Sequence, residues 1–299
     1  MLTNSIVRIA IISLISVIIF TGCDYNTDEN VVPLTSEENE YSKTDSDIHF
    51  GIYNELSPLQ NYLLYDELIK DFQKVTNLST SITLRKSYSE IHSLLQDRKL
   101  DVAYIYLNES ILEDYQENYT IYFTSELQSQ MKSIVVVNQN SNINNISDLQ
   151  NQLFSYTEPN SYNSMAFDQY LEGLGQSKEA FFKNYFYTFY VDESVSVLHS
   201  GIVNGVVIDS LNYAILSNHH QESQTKSTDL NFRILLELDS AIKEPVLLMR
   251  NDLNDDIKDK VKRYFRHFPD NEKQKTIGTR LHIASFKEEK INDRLINNE

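Results

Sequence analysis

Cysteine, tryptophan, glycine and proline are scarce in this sequence, and basic residues are outnumbered by acidic ones. The 299 residues include one Cys, no Trp, 7 Gly and 5 Pro. A single Cys excludes a disulfide framework and a multi-cysteine zinc or iron–sulfur site. So few glycines argue against a Gly-rich phosphate-binding loop. The 26 basic and 43 acidic residues give a net charge of −17, which argues against a nucleic-acid partner, because phosphate backbones need a basic surface.

Motifs of catalysis and metal binding are also missing. No Gly-x-Ser-x-Gly, His-Glu-x-x-His or Walker-type run occurs, so we expect no enzymatic activity and no cofactor. The pair His219-His220 lies in a polar segment without a neighbouring Cys, so we expect no metal site. The composition, with 41% hydrophobic and 23% charged residues, is that of an ordinary globular protein.

The first 22 residues have the features of a secretory signal peptide. Arg8 precedes an apolar run at 9–20, which is shorter than the roughly 20 residues of a membrane-spanning helix. The run ends in Phe20-Thr21-Gly22-Cys23, which resembles a bacterial lipobox with Phe in place of the usual Leu. We therefore expect a signal peptide at 1–22 and lipidation of Cys23, with palmitate as one acyl chain. An ordinary transmembrane anchor is the alternative.

Residues 23–47 are rich in Asp, Glu, Asn, Ser and Thr and predict a flexible, lipidated tether. After the tether, strand and helix patterns alternate. Strands are predicted at 48–53, 81–84, 100–106, 133–138, 153–157, 186–191, 203–209, 232–238 and 245–249. Helices are predicted at 59–75, 89–98, 146–151, 164–174, 195–200 and 254–268, and a polar loop at 219–229. This alternation predicts an α/β fold with helices on the faces of parallel sheets.

Five segments together carry a family pattern. They are 99–104 (Lys-Leu-Asp-Val-Ala-Tyr), 133–137, 146–149, Glu158-Pro159-Asn160-Ser161 and 200–210. In order and spacing they resemble the substrate-binding proteins of phosphate, phosphite and phosphonate ABC transporters. The resemblance implies a two-lobed, type II periplasmic-binding fold, each lobe a mostly parallel sheet flanked by helices, with a ligand cleft between the lobes. It implies lobe 1 at 48–136 and 240–299, and lobe 2 at 137–239.

Hydroxyl and amide side chains cluster at 160–164, just before a predicted helix. Neutral donors at a helix N-terminus can bind an oxyanion, but the same residues also cap helices, and the residues alone leave both readings open. The family pattern implies eight ligand-binding positions: Tyr88, Tyr104, Asn160, Ser161, Tyr162, Asn163, Asp192 and Asp209. The two aspartates match positions that meet the ammonium of aminoalkylphosphonates, although Asp209 can equally be a cap. Asn163, Ser164 and Met165 depart from the family pattern.

The resemblance implies a lipid-anchored protein on the extracytoplasmic, periplasmic face of the cell membrane. It would capture a small oxyanion of the phosphonate, phosphite or phosphate type and deliver it to an ABC permease. We expect it to be a monomer. The alternative is a lipoprotein of the same fold that reports ligand binding to a membrane kinase or cyclase.

Overall fold

The computed structural model describes residues 46–85, 87–106, 117–222, 231–238 and 244–289, so Cys23 and the signal peptide lie outside the described residues. The strands are β1 (Ile48–Ile52), β2 (Thr80–Leu84), β3 (Val102–Ile105), β4 (Tyr119–Leu127), β5 (Ser133–Asn138), β6 (Leu153–Tyr156), β7 (Asn184–Tyr187), β8 (Gly205–Asp209), β9 (Phe232–Leu238), β10 (Val246–Arg250) and β11 (Ile283–Glu288). The helices are α1 (Pro58–Thr76), α2 (Tyr88–Gln96), α3 (Tyr162–Gly173), α4 (Lys178–Phe181), α5 (Val191–His199), α6 (Ser210–Glu222), α7 (Asp255–Arg266) and α8 (Glu272–Leu281). In this part of the chain no helix is both long enough and apolar enough to cross a membrane.

The first sheet has six strands in the order β11-β4-β10-β3-β1-β2. β1 pairs in parallel with β2 and β3, so that Phe50 lies opposite Ile82 on one side and Val102 on the other. β10 runs antiparallel to β3 and β4, and β11 runs antiparallel to β4. The sheet is therefore mixed, because β4, β10 and β11 extend a parallel β2-β1-β3 unit with antiparallel pairs.

The second sheet has five strands in the order β7-β6-β8-β5-β9. β6 is parallel to β7 and β8, whereas β5 is antiparallel to β8 and β9. The predicted α/β class, with one sheet for each of two lobes, is confirmed. The prediction that each sheet is mostly parallel is wrong, since each consists of a parallel unit extended by antiparallel strands.

The chain changes sheets twice. The sequence-based division puts residues 133–136 in lobe 1, whereas β5 pairs only with strands of the second sheet in the described residues. The first crossing therefore lies between β4 and β5, and the return lies between β9 and β10. The rest of the lobe division stays a prediction. Below, lobe 1 denotes the first sheet with its helices and lobe 2 the second.

Aromatic side chains fill the core of each lobe. In lobe 1 the ring centroid of Phe72 lies 6.1 Å from that of Phe50 and 5.9 Å from that of Phe265. In lobe 2 the ring of Phe154 stacks 4.4 Å from that of Phe182. All five rings are buried, so the aromatic residues contribute a large share of the apolar surface that each lobe removes from water.

Several element boundaries differ from the prediction. The segment 219–229 was expected to be a loop, but α6 continues through Glu222. A strand was expected at 186–191, but β7 ends at Tyr187 and α5 begins at Val191. The segment at 146–151 forms only one 3₁₀ turn. Two strands and three helices were not predicted: β4, β11, α4, α6 and α8. For β4 and β11 the reason is that they depend on partner strands far along the chain.

Candidate functional site

Polar residues that follow β1, β6 and β8 meet between the two sheets. The Tyr53 hydroxyl donates to Glu158 Oε1 over 2.5 Å, and Asn163 Nδ2 donates to Glu55 Oε2 over 3.2 Å. Each of these hydrogen bonds joins lobe 1 to lobe 2. In open α/β sheets, ligands bind outside the carboxyl ends of the strands, which is where these residues lie.

A third side-chain bond completes this group. Asn212 Nδ2, from α6 of lobe 2, donates to Asn54 Oδ1 of lobe 1 over 2.7 Å. These three bonds join six residues, and the carboxylate of Asp209 adjoins them. We call the seven residues together the cleft cluster: Tyr53, Asn54, Glu55, Glu158, Asn163, Asp209 and Asn212. All seven are buried. The lobes are therefore closed on each other in this structure through the side chains of the cleft cluster.

Glu55 is the most perturbed acid of the cleft cluster. Burial, and then the neighbouring Asp209 carboxylate, raise the pKa of Glu55 from 4.5 to about 8. Its Oε2 accepts from Asn163, whereas its Oε1 has no hydrogen-bond partner. A carboxyl group in this setting is protonated at neutral pH unless a positive group approaches it.

Asp209 ends β8 and precedes α6. Its Oδ1 accepts from the backbone N–H of Asn212 over 2.6 Å, the bond expected of a helix N-cap, and its Oδ2 accepts from Asn212 Nδ2 over 2.7 Å. Burial raises the pKa of Asp209 to about 6, although the hydrogen bonds from Asn212 lower it in part. Of the two roles that the sequence left open, capping is the one that these contacts support.

The carboxylate of Glu158, a residue of lobe 2, lies at the N-terminus of α2 in lobe 1. Both of its side-chain oxygens lie 3.2 Å from the backbone nitrogen of Tyr88, the first residue of α2. A helix N-terminus is a favourable position for an anion, because its N–H groups and dipole point at it. Burial raises the pKa of Glu158, while the bonds from Tyr53 and Tyr88 lower it.

Tyrosine side chains surround the carboxylates of the cleft cluster. Burial, and then the Asp209 carboxylate, raise the pKa of Tyr106 and of Tyr162 well above 10. Their ring centroids lie 5.6 Å apart, one in each lobe. These phenols therefore stay neutral at ordinary pH.

Of the predicted ligand-binding residues at 160–163, only some lie in the cleft. Asn163 belongs to the cleft cluster, and Tyr162 packs beside it with its hydroxyl 3.5 Å from the sulfur of Met131. Ser161 is instead the N-cap of α3, since its Oγ accepts from the Ser164 backbone N–H over 3.1 Å. Asn160 is exposed to solvent.

The other predicted site residues fall into two groups. Tyr88 lies at the cleft, with its ring 5.4 Å from that of Tyr53, and Asp192 Oδ1 accepts across the lobes from the Ser57 backbone N–H over 2.8 Å. The Tyr104 hydroxyl instead donates to Ser125 Oγ within lobe 1. The assignment of all eight as ligand-binding residues stays a prediction.

The sequence analysis missed the residues that dominate the cleft cluster. Tyr53 ends the predicted first strand and Asn54 and Glu55 directly follow it, and Asn212 comes three residues after the strand that ends at Asp209. Polar residues at the carboxyl end of a predicted parallel strand were the available signal. Glu158 was part of a quoted motif but had no assigned role.

Replacing Ser161 by Ala tests its role as a cap. We expect Ser161→Ala to lower the free energy of unfolding by about 1 kcal/mol, because it removes the hydrogen bond to the first turn of α3. Urea unfolding measures this loss. Asn160→Ala is the control, since Asn160 is exposed and makes no such bond in the described structure. Equal stability of the two variants would contradict the capping role.

Comparisons with known proteins give consistent results. Residues 50–293 match the family described as ABC transporter, phosphonate, periplasmic substrate-binding protein. A binding protein component of an ABC phosphonate transporter from Pseudomonas aeruginosa is 17% identical, with a TM-score of 0.70 and 81% of each chain covered. PhnD1 from Prochlorococcus marinus, solved in complex with methylphosphonate, is 15% identical, with a TM-score of 0.68, covering 81% of this chain and 92% of that one. A comparison with curated proteins finds no match.

A more distant likeness extends to an ancestral arginine-binding protein bound to arginine. It is 16% identical, with a TM-score of 0.54, and the match covers 78% of this chain and 97% of that one. At these identities the solved structures demonstrate a shared fold.

Proposed function

This chain belongs to the family of periplasmic substrate-binding proteins of phosphonate ABC transporters, and from that membership we propose that its cleft cluster lies where the solute binds. The family consists of extracytoplasmic transport proteins that bind a small molecule and deliver it to a permease. We propose a phosphonate-type compound as the solute and a permease as the partner of this chain.

The observation that carries the proposal is the set of hydrogen bonds between the lobes. Tyr53, Asn54 and Glu55 of lobe 1 bond to Glu158, Asn212 and Asn163 of lobe 2. These side chains lie where the two lobes meet, so a solute bound there would contact both lobes through them. Binding and closure are then one equilibrium, since the solute favours the state in which both sets of groups reach it.

The proposal includes a lipid anchor at Cys23. It is supported by the short apolar run at 9–20, by the lipobox-like residues before the only Cys, and by the polar segment that separates Cys23 from β1. Two or more acyl chains hold a protein stably on a membrane surface, whereas one chain is marginal.

A panel of phosphonate-type compounds tests the solute. We expect at least one of methylphosphonate, phosphite, phosphate and 2-aminoethylphosphonate to raise the melting temperature of the full chain in mild detergent. At about one hundred times Kd a ligand adds about 2.7 kcal/mol of stability, which corresponds to roughly 5–10 °C for a protein of this size. Sulfate is the control anion. Absence of any shift with all four compounds would contradict the proposed solute class.

The partner needs a separate measurement. We expect the purified chain with its solute to stimulate the ATPase activity of the reconstituted permease of the same cell. Stimulation of a membrane kinase or cyclase in place of the permease would contradict delivery and would support the sensing alternative.

A further inference from the structure

Helix α1 of lobe 1 and helix α5 of lobe 2 both begin where the lobes meet, and neither is capped by its own side chain. Ser57 is the N-cap of α1 and Tyr190 is that of α5, and in the described part of the chain neither side chain makes a capping hydrogen bond. The sequence Ser57-Pro58-Leu59-Gln60 is that of a capping box, in which Gln60 would accept from the Ser57 N–H. The first N–H groups of a helix need an acceptor from outside the helix ladder.

Each of these helix starts obtains its acceptor from the other lobe. The backbone N–H of Ser57 donates to Oδ1 of Asp192, in the first turn of α5, over 2.8 Å. The backbone N–H of Val191, the first residue of α5, donates to the backbone carbonyl of Glu55 over 2.7 Å. We call these four residues the interlobe latch: Glu55, Ser57, Val191 and Asp192. Both of its hydrogen bonds exist only while the lobes are in contact.

The carboxylate of Asp192 acts on two helices at once. A negative charge near a helix N-terminus interacts favourably with the helix dipole. Asp192 lies in the first turn of its own helix, and it also accepts from the N-cap residue of α1. One carboxylate therefore stabilises two helix starts that belong to different lobes. When the lobes separate, its effect on α1 is lost and only its effect on α5 remains.

A second carboxylate of lobe 2 makes the same kind of contact. Both side-chain oxygens of Glu158 lie 3.2 Å from the backbone nitrogen of Tyr88, the first residue of α2. This contact is made to a different helix of lobe 1 from the one that Asp192 meets. The N–H groups at three helix starts thus find acceptors across the lobes, and every group in these bonds belongs to the protein.

The turn that leads into α5 is strained. Phe189 has a φ of 67°, which is unfavourable for a bulky side chain. Its side chain is 41% exposed, and its N–H donates to the Thr157 carbonyl over 2.6 Å. Strain of this kind persists where the surrounding structure or the function fixes the position of the chain. The residues that follow at once are Tyr190 and the two latch residues of α5.

We propose that the interlobe latch keeps the lobes closed without a solute, and that Asp192 is a positioning residue for this closure. The inference goes beyond the proposed function, since it holds whichever solute binds. The latch bonds lower the free energy of the closed state. A solute that binds this state therefore has less closure to bring about, and its apparent affinity rises with the closed fraction.

Amide hydrogen exchange of the full chain in mild detergent tests the closure without any solute. Dialysis in urea followed by refolding removes solute carried through purification. We expect the amides of Tyr88 and Val191 to exchange slowly, because a hydrogen-bonded N–H exchanges only when its bond opens. Exchange of both amides as fast as that of an exposed loop would show that the lobes are open, and would overturn the proposal.

Asp192→Ala tests the latch itself. We expect the amides of Tyr88 and Val191 to exchange about tenfold faster in this variant, because the loss of a hydrogen bond to a charged acceptor shifts the lobes towards the open state. Tyr88 lies on another helix, so its amide reports separation of the lobes and not the local loss of a cap. Acceleration confined to Ser57, or no acceleration at all, would overturn the role of Asp192.

Glu193→Ala is the matched control for this substitution. Glu193 is exposed, lies in the first turn of α5 beside Asp192, and makes no side-chain hydrogen bond or ion pair in the described residues. It should leave the exchange of Tyr88 and Val191 unchanged. Asp192→Asn keeps an oxygen that can accept from the Ser57 N–H, so it should accelerate exchange less than Asp192→Ala.

The amides of β5 establish that each variant is folded, since they pair with strands of lobe 2 on both sides. We expect their exchange to be unchanged in Asp192→Ala. Equal acceleration of β5 and of Tyr88 would indicate general destabilisation and would overturn the latch. None of these measurements uses a solute, so failure of the compound panel and failure of the latch are separate results.

Discussion

Glu55→Gln will be more stable than the unaltered protein at pH 8 and nearly equal to it at pH 4.5. The pKa of Glu55 is raised from 4.5 to about 8, mainly by burial and then by Asp209. Between these values the folded protein holds a proton that the unfolded chain releases. Its stability therefore falls as the pH rises through this window, by about 1.4 kcal/mol per pH unit. By pH 8 the accumulated loss of unfolding free energy is on the order of 4 kcal/mol. The Gln variant does not titrate, so it does not lose this stability.

Urea unfolding at pH 4.5, 6 and 8 measures this difference. The comparison with the unaltered protein removes the effect of overall charge, which changes with pH in both proteins alike. Glu172→Gln serves as the control, since Glu172 is exposed on α3 and its side chain makes no hydrogen bond or ion pair in the described residues. A stability difference that is the same at every pH would show that Glu55 does not titrate in this range.

Phe154→Ala will cost about 3–5 kcal/mol of stability, the range found for removing a buried aromatic ring from a core. Phe154 is fully buried in β6. Its ring centroid lies 4.4 Å from that of Phe182 and 5.2 Å from those of Tyr156 and Phe167. These neighbours are themselves tightly packed, so they have little freedom to fill the cavity. Thermal or urea unfolding measures the loss.

Phe186→Ala is the matched control for this substitution. Phe186 lies on β7 of the same sheet but is 36% exposed, so its removal leaves little cavity and should cost about 1 kcal/mol or less. Comparable losses in both variants would contradict the assignment of Phe154 to the centre of the lobe 2 core.

Phe154→Ala and Glu55→Gln are expected to change the stability in opposite directions. Phe154 is an apolar ring buried among other apolar rings, so its removal destabilises the protein. Glu55 is a buried acid with an unpartnered oxygen, so its replacement by a neutral isostere stabilises the protein. Residues of the second kind occur where function requires a group that the fold alone would not favour.

The sequence by itself determined the class of the fold. The continuous β-branched run in β5 and the 3.6-residue spacing of apolar residues in α1 are local properties, and both elements lie within one residue of their predicted bounds. The order of the five quoted segments was enough to predict the family, which the match over 50–293 confirms. The start of α3 was predicted to within two residues, because the hydroxyl and amide side chains at 160–164 are a local signal for a helix start.

Only the tertiary structure decided the sheet order and the chemistry between the lobes. β4 and β11 acquire strand character from partners more than one hundred residues away along the chain, so local pattern did not reveal them. The pKa of Glu55 depends on its burial and on Asp209, and both arise only where lobe 2 packs against lobe 1. Contacts and desolvation of this kind arise from the folded arrangement and from no single stretch of sequence, which is why the acids of the cleft cluster were not predicted as a group.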